Sequence, residues 1–295
     1  MKKTIFKGMA TAIVTPMTKT DIDYEALGRF IEFQIENGIN AIVVMGTTGE
    51  NATIEYCDQK EVIRFTVNKV AGRVPVIAGT GTNNTDHVLH NTRNACEVGA
   101  DAVLVVTPYY NKATQGGLIK MYTELADAAS KPVVLYNVPS RTGVNIEPTT
   151  YAALAEHPNI VAFKEANGNL SKIVETMALV GDKLAMYSGN DDQIVPLMSI
   201  GGIGAISVLS NILPAETVAI CDKFFAGDIK GSAALQCRYH ALINALFSEV
   251  NPIPVKAAMA AMGYGENSLR LPLTEMESAH ERVLLDLMRK EGLSV

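Results

Sequence analysis

The chain has 295 residues, which suits one large α/β domain or two smaller ones. Apolar residues make up 48% of it and charged residues 19%, so the sequence can fill a core and is not expected to be disordered. The net charge of −6, without a basic block, argues against nucleic acid as the main partner. No apolar run reaches the ~18 residues that a membrane-spanning helix needs, so no membrane association is expected.

The cysteines and histidines give no metal or disulfide pattern. The four cysteines form no C-x-x-C pair, and the five histidines form no H-E-x-x-H pattern. We therefore expect reduced thiols, no metal site and a cytosolic protein. The first eight residues have no sustained apolar stretch after their lysines, so no signal peptide is predicted.

Short apolar runs, rich in Val, Ile and Ala, recur along the chain and predict parallel strands buried on both faces. They are Met9–Val14, Ala41–Met45, Val74–Ala78, Ala102–Val106, Pro132–Tyr136, Ile160–Phe163, Leu184–Tyr187 and Gly204–Val208. Amphipathic stretches between them predict helices, with Asp58 or Thr85 as candidate N-caps. These stretches include Tyr24–Asn37, Cys57–Ala71, Thr85–Val98, Gly116–Ala129 and Pro148–His157.

Eight strands that alternate with helices over about 225 residues predict a (β/α)₈ TIM barrel of the α/β class. An open doubly wound sheet is the alternative architecture. Beyond Gly227 the predicted elements are helices only, over Asp228–Val250, Ile253–Met262 and Thr274–Lys290. We therefore predict two domains: a catalytic barrel over 1–227 and a C-terminal all-helical appendage over 228–295.

The run Asn159–Lys164 is apolar except at its ends, and its last residue is a lysine. Charged side chains are almost never fully buried unless they are paired. An apolar site disfavours the ammonium form, and the neutral amine is a nucleophile that forms Schiff bases with ketones and aldehydes. The alternative is a lysine that reaches water at a strand end.

Active sites of TIM barrels lie at the carboxyl ends of the strands, and several strand ends carry unusual residues. Gly46–Glu50 follows the second run, and its glycines allow a tight turn whose N–H groups could hold a small carboxylate. An ordinary βα turn is the alternative. Tyr109 and Tyr110 follow the fourth run and are expected to point in different directions, one into packing and the other into a functional role.

Later strand ends add a relay group, a cation and backbone donors. Tyr136 ends the fifth run, where a phenol can relay protons beside a lysine amine. Arg141 lies just beyond and can grip a carboxylate, or it is a solvated loop arginine. Backbone groups near Gly189 and Ile206 could line the lysine pocket. Asp191-Asp192 predicts a capped helix start rather than a divalent metal site.

In this order Gly46–Glu50, Tyr136–Gly143 and Lys164–Ala166 resemble the class I pyruvate-dependent aldolase family. The similarity extends from Phe6–Gly8 to Arg270–Leu273 and therefore covers nearly the whole chain. It implies that this protein is an enzyme, and that it forms a homotetramer built as a dimer of dimers, as expected for the family. It also implies that no organic cofactor is needed, because a lysine serves as the electron sink.

The resemblance implies a role for each matching residue. Lys164 would form a Schiff base with pyruvate. Thr47, Tyr136 and Tyr110 would relay protons, with Tyr110 supplied by a neighbouring subunit. The groups implied in substrate binding are Thr48 and the backbone at Gly189 and Ile206 for pyruvate, and Arg141 for the carboxylate of the second substrate.

Within the family, Tyr110 and Arg141 together resemble members that condense pyruvate with L-aspartate 4-semialdehyde on the diaminopimelate route to lysine. Sialic acid lyases lack that arginine, since a sugar aldehyde needs neutral hydrogen-bonding groups. A related 2-keto-acid aldolase such as N-acetylneuraminate lyase is the alternative enzyme. A catalytically silent barrel that only binds ligands is a further alternative, which the presence of Lys164 and Tyr136 disfavours.

One departure from the family concerns regulation. Lysine-inhibited members resemble this chain at Asn83 and Tyr109. They typically carry histidines near the positions of Tyr56 and Gln59 and a glutamate at that of His87, and this chain differs at all three. An effector with an ammonium group would lose an acidic partner, so weak or absent inhibition by lysine is expected.

Overall fold

The computed structural model describes residues 2–295. Each strand pairs in parallel with the next, and the last pairs with the first, which closes an eight-stranded barrel. The TIM barrel prediction is confirmed, and the open doubly wound alternative is wrong because both sheet edges are paired. The strands are β1 Gly8–Ala12, β2 Ala41–Val44, β3 Val76–Gly79, β4 Ala102–Val106, β5 Val133–Asn137, β6 Ile160–Glu165, β7 Ala185–Ser188 and β8 Gly204–Ser207.

The helices surround the barrel and continue into the C-terminal part of the chain. They are α1 Tyr24–Glu36, α2 Tyr56–Val70, α3 Thr85–Glu97, α4 Gln115–Ala128, α5 Pro139–Thr142, α6 Pro148–Leu154, α7 Leu170–Val180, α8 Ile194–Ser199, α9 Pro214–Phe225, α10 Ile229–Arg238, α11 His240–Leu246, α12 Ile253–Ala261 and α13 Ser278–Lys290. Single 3₁₀ turns cover Thr47–Gly49, Asn51–Thr53, Asp191–Gln193 and Leu209–Asn211. No helix of residues 2–295 is long and apolar enough to cross a membrane.

Side chains fill the barrel interior near the amino ends of the strands. Phe6, just before β1, stacks on Tyr187 of β7 with ring centroids 4.2 Å apart. The Tyr187 hydroxyl donates to the Phe6 carbonyl at 2.7 Å, so the polar end of the ring is satisfied inside the apolar core. Small and branched residues such as Ala10, Val43 and Ile77 fill the space around this pair.

The two predicted N-caps are wrong by one to three residues. Asp58 lies in the first turn of α2, whose N-cap is Glu55. Thr85 is the first residue of α3, and the preceding Asn84 caps the helix by accepting from the N–H groups of Asp86 and His87. Asn is as good an N-cap as Ser and better than Thr, so the amide of Asn84 is favoured over the hydroxyl of Thr85 at this position.

The C-terminal part is helical, as predicted, but the long helix expected over 228–250 is divided. The first helix ends at Arg238, and the chain turns at the buried Tyr239. The turn redirects α11 so that it packs against α12 and α13. The domain boundary at residues 227 and 228 stays a prediction. The helices on its two sides, α9 and α10, pack closely on each other.

Gly204 on β8 lies opposite Gly8 on β1, where the two strands have no room for a side chain. A Cβ on Gly204 would lie 1.8 Å from the carbonyl oxygen of Gly8, and Gly204 has a φ of +151°. We expect Gly204→Ala to lower the free energy of unfolding by more than ~3 kcal/mol, because β1 and β8 would have to separate. Denaturant unfolding measures this.

The matched control is Gly116→Ala on α4, where a Cβ meets nothing within 4 Å. This change should leave stability unchanged or raise it by up to ~1 kcal/mol. Equal stability of the Gly204→Ala variant and the wild type would contradict the assigned β1–β8 contact.

Candidate active site

A cavity of about 540 Å³ opens at the carboxyl ends of the strands. Lys164 on β6 is only 6% exposed and forms part of the cavity wall, so it does not extend into solvent at a strand end. Its Nζ lies 4.4 Å from the ring centroid of Tyr136. The β5–β6 ladder sets this contact by placing Tyr136 beside Lys164. Residue alternation along β6 then turns Glu165 to the outer side.

The turn after β2 brings hydroxyl and amide groups to the same cavity. Gly46, Thr47 and Thr48 line it. The turn is closed by the Gly49 N–H, which donates to the Gly46 carbonyl at 3.0 Å. Thr48 is buried, and its hydroxyl accepts from the Nδ2 of Asn251 at 3.0 Å.

Arg141 lies at the rim, on a segment that is one helical turn rather than an open loop. Its side chain is exposed and lines the cavity, and its Nη2 donates to the carbonyl of Asn251 at 3.2 Å. Within residues 2–295, one of its five N–H donors is hydrogen-bonded, so the guanidinium keeps most of its capacity for an anion in the cavity.

Gly189 and Ile206 differ in their relation to the cavity. Gly189 lines it, and a Cβ at this position would lie 3.0 Å from the Cε of Lys164, so a glycine is needed for the close approach. Ile206 is buried on β8 and packs inside the barrel without lining the cavity, whereas Val208 does line it.

Asp191 has a different role from the predicted cap of its own helix start. It is buried, and its Oδ2 accepts from the N–H groups of Val208 and Leu209 at 3.0 and 2.9 Å. It therefore holds the turn after β8, and the prediction is wrong because the partners come from another strand end. Burial raises the pKa of this carboxyl, and its hydrogen bonds with the Ser207 hydroxyl and with the N–H groups of Leu209 and Val208 act against that rise. Residues 2–295 contain no group of three or more potential metal ligands.

Tyr109 and Tyr110 point apart, as predicted. Tyr109 is half-buried, and burial together with the nearby Tyr56 raises its pKa. Tyr110 is 90% exposed, has a φ of +71° and does not line the cavity. Within one chain, the structure therefore brings together every predicted site residue except Tyr110 and the side chain of Ile206.

The C-terminal part of the chain contributes residues to the cavity that the sequence did not predict there. Residues from Phe247 to Asn251 line the outer cavity wall. The Asn251–Pro254 segment interrupts the C-terminal helical pattern and is the sequence signal at this position. Because this contact joins distant parts of the chain, no local pattern indicates it.

A second missed group is the carboxyl of Glu165, behind Lys164. It accepts from the Asn137 amide at 2.9 Å, from the Tyr151 hydroxyl at 3.0 Å and from the Asn167 N–H at 2.9 Å. Burial raises its pKa from 4.5 to about 7, against the effect of these hydrogen bonds.

A buried lysine beside a tyrosine in the mouth of a TIM barrel, with an arginine at the rim, is the arrangement expected of a class I aldolase-type lyase. The chain matches the Dihydrodipicolinate synthetase family over residues 5–290 and belongs to that family. It is 53% identical over 291 residues to the 4-hydroxy-tetrahydrodipicolinate synthase of Lachnoclostridium phytofermentans, covering 98% of this chain and 99% of the relative.

Solved structures agree over the whole fold. The dihydrodipicolinate synthase of Thermotoga maritima superposes with a TM-score of 0.97 at 41% identity, and the match covers 98% of this chain and 100% of that chain. A structure described as the first monomeric dihydrodipicolinate synthase variant gives a TM-score of 0.96 at 42% identity, with 98% of both chains covered. The resemblance inferred from the sequence motifs is thereby confirmed.

The Glu165 cluster predicts a pH-dependent stability. Because the folded pKa of Glu165 lies above the unfolded one, its neutral carboxyl stabilises fully below pH 4.5, and this contribution is lost as the pH rises through about 7. The free energy of unfolding of the wild type should therefore fall by roughly 3 kcal/mol over this pH range. In the Glu165→Gln variant, which has no titrating group at this position, this fall should be absent. Urea unfolding at about pH 5 and about pH 8 measures the difference.

The control is Glu124→Gln, a change of an exposed carboxylate on α4. It should leave the pH dependence of the wild type intact. A Glu165→Gln variant whose stability falls with pH as steeply as that of the wild type would show that Glu165 is not the group responsible.

Proposed function

We propose that this protein is a 4-hydroxy-tetrahydrodipicolinate synthase, which condenses pyruvate with L-aspartate 4-semialdehyde on the diaminopimelate route to lysine. One observation carries the proposal: Lys164 is buried in the cavity wall and its amine lies over the Tyr136 ring. Family membership and relatives of that name along the whole chain support it. The four free cysteines support the predicted cytoplasmic location.

The chemistry begins on the amine of Lys164. The amine adds to the C2 carbonyl of pyruvate, and loss of water gives an iminium. Loss of a proton from C3 then gives an enamine, so the imine nitrogen holds the electron pair and no organic cofactor is required. Tyr136 has the position to pass these protons, and Thr47 is its proposed link toward Tyr110.

The enamine carbon attacks the aldehyde carbon of the second substrate, and the new oxyanion takes a proton. The amino group of that substrate then attacks C2 and expels the amine of Lys164, which closes the ring and regenerates the enzyme. Thr48 and the backbone at Gly189 and Ile206 are the proposed holders of the pyruvate part. For Ile206 only the backbone is proposed, because its side chain packs into the barrel.

Arg141 is the proposed partner of the carboxylate of L-aspartate 4-semialdehyde. It combines a position on the cavity rim with a planar guanidinium that can bind a carboxylate through two parallel hydrogen bonds. The alternative of N-acetylneuraminate lyase lacks this support, since its sugar substrate would face an unmatched cation. The relatives named above favour the synthase as well.

A homotetramer built as a dimer of dimers is the proposed assembly. Tyr110 is exposed and held in a left-handed backbone conformation, which is costly for a bulky residue and is typical of a functional site. We propose that it enters the cavity of a neighbouring subunit to complete the relay. Leu170, Val174 and Leu179 on α7 are exposed apolar side chains that a second contact could cover.

Borohydride trapping tests the central step. With pyruvate and sodium borohydride, we expect one reduced pyruvyl adduct per subunit at Lys164, because only the iminium is reduced to a stable amine. Peptide mass mapping locates the adduct. Lys164→Arg should abolish it, and Lys172→Arg, a change of a partly exposed lysine on α7, should leave it unchanged.

An adduct at another residue, or none, would refute the Schiff-base assignment. Substrate choice is measured separately by comparing condensation with L-aspartate 4-semialdehyde against cleavage of N-acetylneuraminate. Faster cleavage of the sugar acid would favour the lyase instead.

Weak regulation by lysine is also proposed, from a cleft of about 290 Å³ that contains Tyr56, Gln59 and Tyr109. The Gln59 amide donates to the carbonyls of Asn51 and Ile54, both at 2.8 Å, so its donors are committed to the backbone. The Tyr56 hydroxyl lies 2.8 Å from the Nδ1 of His87. The residue beside Tyr56 is thus an imidazole, which offers no carboxylate to an ammonium group.

We expect half-inhibition by lysine only well above about 1 mM. His87→Glu should strengthen inhibition by supplying the missing anionic partner, while His90→Glu, on the same helix, serves as the control. Initial-rate assays against lysine concentration measure both. Half-inhibition of the unchanged protein below about 1 mM would overturn this proposal.

A further inference from the structure

The turn that carries Thr47 and Thr48 ends in a buried ion pair. The Oε1 of Glu50 lies 2.5 Å from the Nζ of Lys256, on α12. The side chains are 1% and 2% exposed, and neither lines the cavity. The proposed reaction gives neither of them a role in contact with substrate.

Both oxygens of the Glu50 carboxylate are held from the C-terminal part of the chain. Oε2 accepts from the N–H of Arg270 at 3.3 Å, and the Nη1 of Arg270 donates to the Thr53 carbonyl at 3.0 Å. Glu50 has a φ of +57°, a conformation that favours glycine over side-chain-bearing residues. Such a conformation persists only where the surroundings over-determine it, and the fixed carboxylate provides that constraint.

Stability alone is a weak reason for this pair. Removing two charges from water costs free energy, and replacing a buried pair with apolar residues is often neutral or stabilising. Burial lowers the pKa of Lys256, and the charge of Glu50 opposes that shift. What the pair does supply is a fixed direction and distance between the turn and α12.

The same C-terminal segment also touches two binding residues directly. The Nδ2 of Asn251 donates to the hydroxyl of Thr48 at 3.0 Å. The carbonyl of Asn251 accepts from the Nη2 of Arg141 at 3.2 Å. Residues 251–256 therefore connect the turn after β2 with the arginine on the opposite rim.

We propose that Glu50 and Lys256 are positioning residues whose ion pair holds the Thr47–Gly49 turn against α12. The pair sets where the Thr47 and Thr48 hydroxyls meet the adduct on Lys164. This inference rests on the proposed function, since it assigns the turn to the Schiff-base reaction. A misplacement of about 1 Å can lower a rate by about 10²-fold, so the effect on turnover is expected to be large.

The experiment separates positioning from stability. Lys256→Met alone leaves a buried unpaired carboxylate and should lower both the melting temperature and the activity. The double variant Glu50→Gln with Lys256→Met removes both charges and should recover most of the melting temperature. We expect its kcat and its rate of pyruvate trapping to stay at least about 10-fold below wild type.

The control for Lys256→Met is Lys2→Met, which also replaces a lysine by methionine but lies on the opposite face of the barrel. The Lys2 amine donates to the carbonyls of Ala155 and Ile160 at 2.6 and 2.8 Å. Its loss should lower the melting temperature without changing the trapping rate, measured well below that temperature. If the double variant does not fold, Glu50→Gln alone takes its place, because glutamine keeps the shape of the side chain but has one acceptor oxygen in place of the two that bind Lys256 and Arg270.

The positioning role would be overturned if the double variant had the kcat and the trapping rate of the wild type. The same result in Glu50→Gln would overturn it where that variant replaces the double variant. An equal loss of trapping in Lys2→Met would overturn it too, because any destabilisation would then suffice. Failure of the wild-type protein to form an adduct at Lys164 would instead refute the proposed function. The two inferences therefore fail through different measurements.

Discussion

Pairing of β1 with β8 is the constraint on which the site depends. The ladder sets Gly8 opposite Gly204 and closes the sheet, so all eight carboxyl ends meet at one face. Within that closed sheet, the β5–β6 ladder places Tyr136 beside Lys164. The proximity of amine and phenol therefore follows from strand register and does not need the loops to adopt a particular conformation.

The helices beyond the barrel are part of the site as well as part of the fold. Asn251 bonds both Thr48 and Arg141, and Lys256 holds the end of the turn after β2 through Glu50. Loops at a barrel mouth are the mobile part of this architecture. Here the cavity has one wall fixed by strands and another fixed by helical packing, which gives the site preorganised geometry on both sides.

Several features were predictable because they depend on local pattern. Continuous apolar runs indicate strands buried on both faces, and Lys164 stands out as a charge at the end of one. The N-caps at Asp58 and Thr85 were wrong by one to three residues, since several polar side chains compete for the same helix start. The prediction that Asp191 caps its own helix start was wrong for another reason: its carboxylate accepts from the Val208 N–H, which lies at the end of the next strand.

The sequence by itself determined the alternation of strands and helices and the chemical types at the strand ends, because both are encoded over short stretches of chain. Only the tertiary structure decided that Glu50 meets Lys256, 206 residues later, and that both are buried. It also decided that Tyr110 points away from the cavity of its own chain. Contacts between distant residues leave no periodic pattern, and they form only when the packed barrel brings the two segments together.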